Sequence, residues 1–362
     1  MSNKKIFTVN FIQPLTQFWL RRLCTIFFLT TLFCPIGPMF WHSAEAANSA
    51  VVIMYHRFGE DNFPSTSIRI KQFEAHIAEL SSGKYNVLPL VEITARMREG
   101  RPLPDRTLGI SIDDAYLSVY TEAWPRLKAA GLPFTIFAPT ARLDQRSATN
   151  MTWEQLRQMH AQGADVGHHT VSHPHMPVAS GERLEKEITR ANERFQIELG
   201  YKPELFAYPY GEASAAIIER IKQAGFMAAF GQHSGVIGSS AENFYLPRFS
   251  MSDKYGDLDR LKLAINALPL VVSDITPTDH FIGSEARNPP AIGFTINADI
   301  KQQNSLSCFL SHAGRANVEK LGATRVEIRV QSAFPRGRTR LNCTMRTPDG
   351  RWRWYGRQFF RP

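Results

Sequence analysis

Apolar and polar residues follow one another along this chain in two registers, and the register changes once. From Val51 onward, short unbroken apolar runs alternate with segments whose apolar residues recur every three or four positions. The runs read as strands buried on both faces, and the spaced segments read as helices with one buried face. Val51 to Tyr55 (VVIMY) is the first strand and ends in His56, and Ile70, Phe73, Ile77 and Leu80 mark the helix after it. A strand at Asn86 to Leu90, a helix to Arg98 and a strand from Thr107 (TLGISI) ending at Asp113 and Asp114 come next. The helix Val119 to Ala130 closes at Gly131, and Phe134 to Ala138 is another strand. Thr152, with Gln155 three residues later, opens a helix as a capping box. Asp165 to Gly167 then leads into His169 and His173, followed by a helix from Glu182 to Leu199. A strand at Leu205 to Tyr208, a helix at Ala215 to Ala224, a strand near Met227 to Phe230 and a helical pattern from Leu258 to Leu268 complete the series. About seven strand–helix units predict an α/β fold with parallel strands inside and helices outside, an incomplete or distorted (β/α) barrel.

After residue 271 the pattern alternates with period two. Thr324 to Val330 (TRVEIRV), Thr339 to Met345 (TRLNCTM) and Arg351 to Tyr355 (RWRWY) are half-buried strands. Residues 272–362 are therefore expected to form a small antiparallel β domain, sandwich-like, after a barrel spanning 47–271. Trp352 and Trp354 share one strand face; core packing is the expected use, and a sugar-stacking platform is the alternative.

The first 46 residues change the picture of where the protein works. Lys4, Lys5, Arg21 and Arg22 precede the apolar run Leu23 to Phe33, and Ala44-Glu45-Ala46 supplies a small-x-small site. This is the pattern of a signal peptide, with an uncleaved anchor as the alternative, and it predicts export to the periplasm or the extracellular space. Pro35, Gly37 and Pro38 weaken a spanning helix, so no stable membrane span is expected after cleavage. The leader takes Cys24 and Cys34 with it and leaves Cys308 and Cys343, a disulfide in an exported chain or else two buried thiols. Its loss lowers the formal charge from +9 to +6 by removing four basic residues and one acidic residue. That mild excess suits an anionic envelope or polymer, and no basic-aromatic pattern for nucleic acid accompanies it. Protein partners and oligomeric state are not legible.

Two motifs carry the chemistry, and each stands at a strand end, where parallel α/β folds present their reactive groups. Asp114, His169 and His173 can form a facial site for one divalent metal, while the neighbouring carboxylate is placed to take a proton from water. A metal hydrolase is the reading, although an Asp pair or a His-rich loop is by itself a weak signal.

Together the motifs resemble a polysaccharide deacetylase of carbohydrate esterase family 4, the NodB-homology domain, over about Val51 to Leu268. Ser111-Ile112-Asp113-Asp114 stands for that family's T-F-D-D, and His169 to His173 for its H-[ST]-x-x-H. The resemblance implies Asp113 as general base and Asp114, His169 and His173 as ligands of one metal, usually zinc. The third motif, R-x-P-Y, is met in part by Ala207-Tyr208-Pro209-Tyr210. Tyr208, Pro209 and Tyr210 would lie at the substrate, with the Tyr210 N–H at the oxyanion. Ala207 replaces the arginine that orients the base, and Arg248 is a substitute candidate. The late histidine of the family lacks a counterpart, and the chain is similar instead to the poly-N-acetylglucosamine deacetylases, whose early histidine corresponds to His56. His56 is then the general acid, with His233 in reserve. The implied activity is metal-dependent removal of N-acetyl groups from an N-acetylglucosamine-containing polysaccharide. A sugar O-acetyl esterase and a non-catalytic carbohydrate-binding barrel are the alternatives; a two-metal phosphoesterase would need more carboxylates than these motifs contain.

Overall fold

The computed structural model describes residues 48–362 apart from 146, 239–240, 284–286 and 302. The predicted leader, with Cys24 and Cys34, lies outside the described residues. Six strands run parallel and pair in chain order: β1 (Ser49–Tyr55), β2 (Thr107–Asp113), β3 (Thr135–Ala138), β4 (Asp165–His168), β5 (Leu205–Ala207) and β6 (Ala228–Phe230). Every residue of β2 is buried, which is why its sequence is a continuous apolar run rather than an alternating one. The ring is completed by an irregular stave. Leu246 bridges to Phe230 of β6, and β7 (Phe249–Ser250) pairs in parallel with β1. The fold is thus a distorted (β/α) barrel whose last position is held by residues 246–250.

The helices lie where the periodicity predicts them, with one informative difference. The Val119 to Ala130 segment is split into a π-helical turn, Val119–Ala123, and an α-helix, Trp124–Ala129. Pro125 has no N–H to give to the preceding turn, and a wider turn at that point absorbs the missing bond. The capping box is present: Thr152 Oγ1 accepts from the Gln155 N–H at 3.2 Å, and Gln155 Oε1 accepts from the Thr152 N–H at 2.9 Å. Among the described residues no helix is long and apolar enough to cross a membrane.

The remainder is antiparallel apart from a short parallel pairing at Leu268–Pro269 and a parallel bridge between Phe281 and Phe360. Its strands are β8 (Leu268–Pro269), β9 (Val272–Thr276), β10 (Ile292–Ile296), β11 (Ser307–Leu310), β12 (Asn317–Leu321), β13 (Arg325–Arg329), β14 (Gly337–Arg346) and β15 (Trp352–Arg361). One sheet is ordered β8-β15-β14-β11, with a further short strand at Gly314–Arg315, and the other β9-β10-β13-β12. Ile292, Phe294, Ile328, Leu341 and Phe359 fill the space around Cys308 and Cys343, which face each other across β11 and β14 and are joined as a disulfide. Sequence periodicity stops the last strand at Tyr355, yet β15 runs on to Arg361. Gly356 interrupts the apolar count while serving the packing: a Cβ there would stand 1.8 Å from the Ser234 carbonyl oxygen, so only glycine lets β15 lie against the barrel. Trp354 packs edge-on against Phe249 of β7 at 5.0 Å, a core use rather than an open sugar platform.

Candidate active site

The site forms where β2, β4 and β5 end. At the end of β2 the chain leaves the strand through two left-handed residues, Asp114 (φ 80) and Ala115 (φ 53). The Asp114 N–H donates to the Phe137 carbonyl of β3 at 3.0 Å and pins that turn. After β4 the loop contains Thr170 (φ 66) and His173 (φ 57), and Tyr210 after β5 has φ 58. Left-handed backbone at non-glycine residues is costly, and its concentration here marks a loop set held by its surroundings. Glu187 is one such support. Its buried carboxylate accepts from the Val171 N–H at 2.9 Å, the Ser172 N–H at 2.7 Å and the Ser172 hydroxyl.

These turns bring the Asp114 carboxylate and the His169 and His173 imidazoles together, with one potential ligand atom from each lying within 4.8 Å of the others. His169 donates through Nδ1 to the Ala207 carbonyl at 2.7 Å, which leaves the Nε2 lone pair free, 3.8 Å from Asp114 Oδ1. His173 Nε2 is 3.4 Å from the same oxygen. His169 Nε2 is buried without a hydrogen-bond partner, and Asp114 Oδ1 has no hydrogen bond but an ion pair with Arg142. Buried polar atoms are rarely left so, and a carboxylate with two imidazoles converging on it fits a divalent cation. Burial and the nearby charges of His169 and Arg142 keep the His173 imidazole neutral, its pKa lowered to about 3, the form a metal needs. Arg142 reaches in from a short helix and pairs with Asp114 Oδ1 at 3.2 Å.

Asp113 is fully buried beside this cluster. Its Oδ1 accepts from Arg248 Nη1 at 2.7 Å and its Oδ2 from Arg248 Nη2 at 2.8 Å, a bidentate pair. Burial alone would raise the carboxyl, but Arg248, His169 and His56 outweigh it and hold the pKa down to about 2. Arg248 is itself fully buried; its Nε donates to the Gly231 carbonyl at 2.9 Å and its Nη1 to Ser111 Oγ at 3.2 Å. The stave that closes the barrel thus carries a guanidinium to the carboxylate while Ala207 occupies the third-motif position. His56 Nε2 lies 3.9 Å from Asp113 Oδ2 on the open side, and Gln232 Nε2 donates to the same oxygen at 3.5 Å.

Three residues sit differently from the expectation. Tyr208 is fully buried and its hydroxyl donates to the Phe244 carbonyl at 2.9 Å, so its ring belongs to the core and not to a groove. Pro209 is buried as well, and of the motif residues Tyr208, Pro209 and Tyr210 only Tyr210, as expected, is part-exposed. His233 stacks on Tyr245 at 4.7 Å and lines a cavity of about 450 Å³ between the barrel and the β sheets. Sequence reasoning passed over Arg142, Glu187 and Gln232. Glu187 had a signal, since it falls on the same helix stripe as the buried Ala191 and Phe195.

Residues 100–229 match the family model described as Polysaccharide deacetylase. The chain carries a polysaccharide deacetylase domain. That places it among the deacetylase hydrolases that act on polysaccharides, and the matched segment contains Asp113, Asp114, His169, His173 and Tyr210 but neither His56 nor Arg248. The poly-beta-1,6-N-acetyl-D-glucosamine N-deacetylase of Staphylococcus aureus is 26% identical over 232 residues, 57% of this chain and 80% of that one. Among solved structures, the Streptococcus pyogenes deacetylase PplD is similar with a TM-score of 0.56 and 18% identity, covering 60% of this chain and 98% of PplD. IcaB from Ammonifex degensii is similar with a TM-score of 0.52 and 23% identity, covering 61% and 98%. At these identities the two structures speak to the deacetylase fold.

Proposed function

We propose that the protein hydrolyses N-acetyl groups on an N-acetylglucosamine-containing polysaccharide and releases acetate, with one divalent metal, zinc foremost, held by Asp114, His169 and His173. The observation that carries this reading is the buried, convergent Asp-His-His cluster directly beside an ionised, arginine-clamped carboxylate. A divalent ion there would supply Lewis-acid polarisation of the acyl carbonyl and lower the pKa of water. The rest of the chemistry belongs to this chain. Asp113 is held ionised and fixed in orientation by Arg248, so it is ready to accept the proton of the attacking water. The Tyr210 N–H donates to the developing oxyanion, and His56, on the open side of Asp113, protonates the departing amine.

The same reading takes residues 1–46 as an export leader, 47–271 as the deacetylase barrel and 272–362 as an appended β domain, with the polymer outside the cytoplasm. The likeness to the Staphylococcus aureus enzyme supports a β-1,6-linked N-acetylglucosamine polymer as the first substrate to try. Acetate release is measured on oligomers of that polymer, on peptidoglycan and on an O-acetylated glycan, after chelation and after zinc or cobalt is returned. Metal-restored release from an N-acetylated polymer, lost in Asp113→Asn, is the expected result. Release from the O-acetylated glycan alone would make the protein an esterase. Silence on every substrate, with the metal bound, would overturn the substrate class.

A further inference from the structure

Strand β15 of the β domain lies against the barrel and ends at the candidate site, with Arg338 of β14, Asp279 and His280 making further contacts. Along β15 the side chains alternate. Tyr355 packs on Phe294 and Phe359 on Phe334 inside the sandwich, whereas Trp354, Gln358 and Phe360 face the barrel. Gln358 is buried, and its Nε2 donates to two consecutive carbonyls of the loop after β5, Tyr210 O at 3.0 Å and Gly211 O at 2.8 Å. The orientation of its amide is fixed by its other partner: Arg340 Nε, which can only donate, gives to Gln358 Oε1 at 3.0 Å. Tyr245 adds a hydroxyl donor to Gly211 O at 2.7 Å, and Arg338 Nη1 one to Tyr210 O at 3.4 Å.

The turn they hold is an unfavourable one. Tyr210 and Gly211 are both left-handed, with φ 58 and 67, and a Cβ at Gly211 would lie 2.4 Å from the Gln232 nitrogen. The tyrosine conformation costs about 1–3 kcal/mol and persists only when its surroundings over-determine it. Tethering both carbonyls restricts the φ and ψ of Tyr210, and with them the direction of its N–H. The ring is held too. It stands 4.4 Å from His173 on one side and stacks on His175 at 4.3 Å on the other, with Phe360 of β15 beyond His175 at 6.0 Å. His175 Nδ1 donates to the buried Glu212 carboxylate at 2.7 Å, which fixes the outer ring in turn.

We infer that Gln358, on the appended β domain, is a positioning residue for the barrel chemistry: it holds the Tyr210–Gly211 turn in the shape that presents Tyr210 to the acyl group. The inference rests on the role proposed above for Tyr210. It gives the β domain a task at the site rather than at a distance from it.

The test compares the full chain with Gln358→Met, which keeps the volume and removes the donors, and with Gln358→Glu, which keeps the Arg340 contact and sets a carboxylate against two carbonyls. Arg353→Ala is the control, since Arg353 ties the same strand to the Pro269 carbonyl at 3.0 Å and touches nothing at the turn. Both Gln358 variants should lose roughly 10- to 100-fold in kcat, the scale of a small misplacement, with KM changed much less. Amide exchange in the peptide containing Gly211 and Glu212 should quicken in both, while Arg353→Ala lowers the thermal midpoint and leaves kcat alone. Wild-type kcat in Gln358→Met, or an equal loss of kcat in Arg353→Ala, would overturn the inference. If the wild type releases no acetate from any glycan, the proposed activity is what fails. The exchange measurement then decides by itself: unchanged protection of the turn in both Gln358 variants refutes the positioning, and faster exchange supports it.

Discussion

At the ends of the barrel strands, Asp113, Asp114, His169 and Arg248 are buried together, whereas between the β sheets Ile292, Phe294, Ile328, Leu341 and Phe359 are buried around a disulfide. The two interiors obey one rule with opposite outcomes. Charge is tolerated inside the barrel because each charged group there has a partner of opposite sign or a set of ligating neighbours. The sandwich core around the disulfide is apolar, and the buried Gln358 and His280 lie on the side that meets the barrel, while the buried Arg357 donates to the Pro277 and Thr278 carbonyls of its own region. The buried amide of Gln358, which donates to two barrel carbonyls, is therefore better explained by the first region than by its own.

Breaking the barrel half of this comparison should have the largest effect. Asp113→Asn removes the proposed base and should lower kcat for acetate release by about 10²–10⁴-fold with metal content unchanged. A variant that keeps its activity would remove the carboxylate from the mechanism. Arg248→Met leaves Asp113 charged, buried and without its partner, and should cost about 3–5 kcal/mol in denaturant unfolding. Adding Asp113→Asn to it should return part of that stability, because the uncompensated charge is gone; no recovery would mean that the pair contributes packing and not charge.

In the β half, replacing Cys308 and Cys343 together by serine opens a link across 35 residues and should cost about 2–4 kcal/mol. The loss should appear in the unfolding transition and not in kcat at a temperature where the protein stays folded. The smallest effect is on pH. His76 is buried, donating through Nε2 to the Gly256 carbonyl and accepting from the Tyr55 hydroxyl, and burial lowers its pKa to about 4. His233, at the contact with the β domain, is lowered by burial and then by Arg357 and Arg340 to about 3. Both stay neutral when folded and take up a proton near pH 6.5 when unfolded. Their contribution to stability is present above about pH 6.5 and declines as the pH falls towards 4 and 3. Thermal midpoints followed from pH 7 to 4 should fall less steeply in His76→Gln than in the wild type, and a parallel pair of curves would show that His76 is not buried neutral.

The alternation of apolar runs and helical spacing was enough to recover the barrel, because each β/α unit buries its own strand and announces it locally. The same holds for Asp113-Asp114 and for His169 to His173, whose members are neighbours in sequence and need only a turn to converge. The strands β9, β10, β11 and β12 escaped notice, being only four or five residues long, and their pairing is set by partners elsewhere along the chain. Tyr208 looked like a groove residue from its motif, and only packing shows that its ring is turned into the core.

What the sequence determined without help was therefore the fold class, the two motifs and the change of pattern after the barrel, all properties of residues a few positions apart. What the tertiary structure alone decided was who serves those motifs. Arg248 reaches Asp113 across 135 positions and Gln358 reaches Tyr210 across 148. Separations of that size leave no periodicity to read, because any number of loop residues can be inserted between two partners at little cost once barrel closure and β15 have set them side by side.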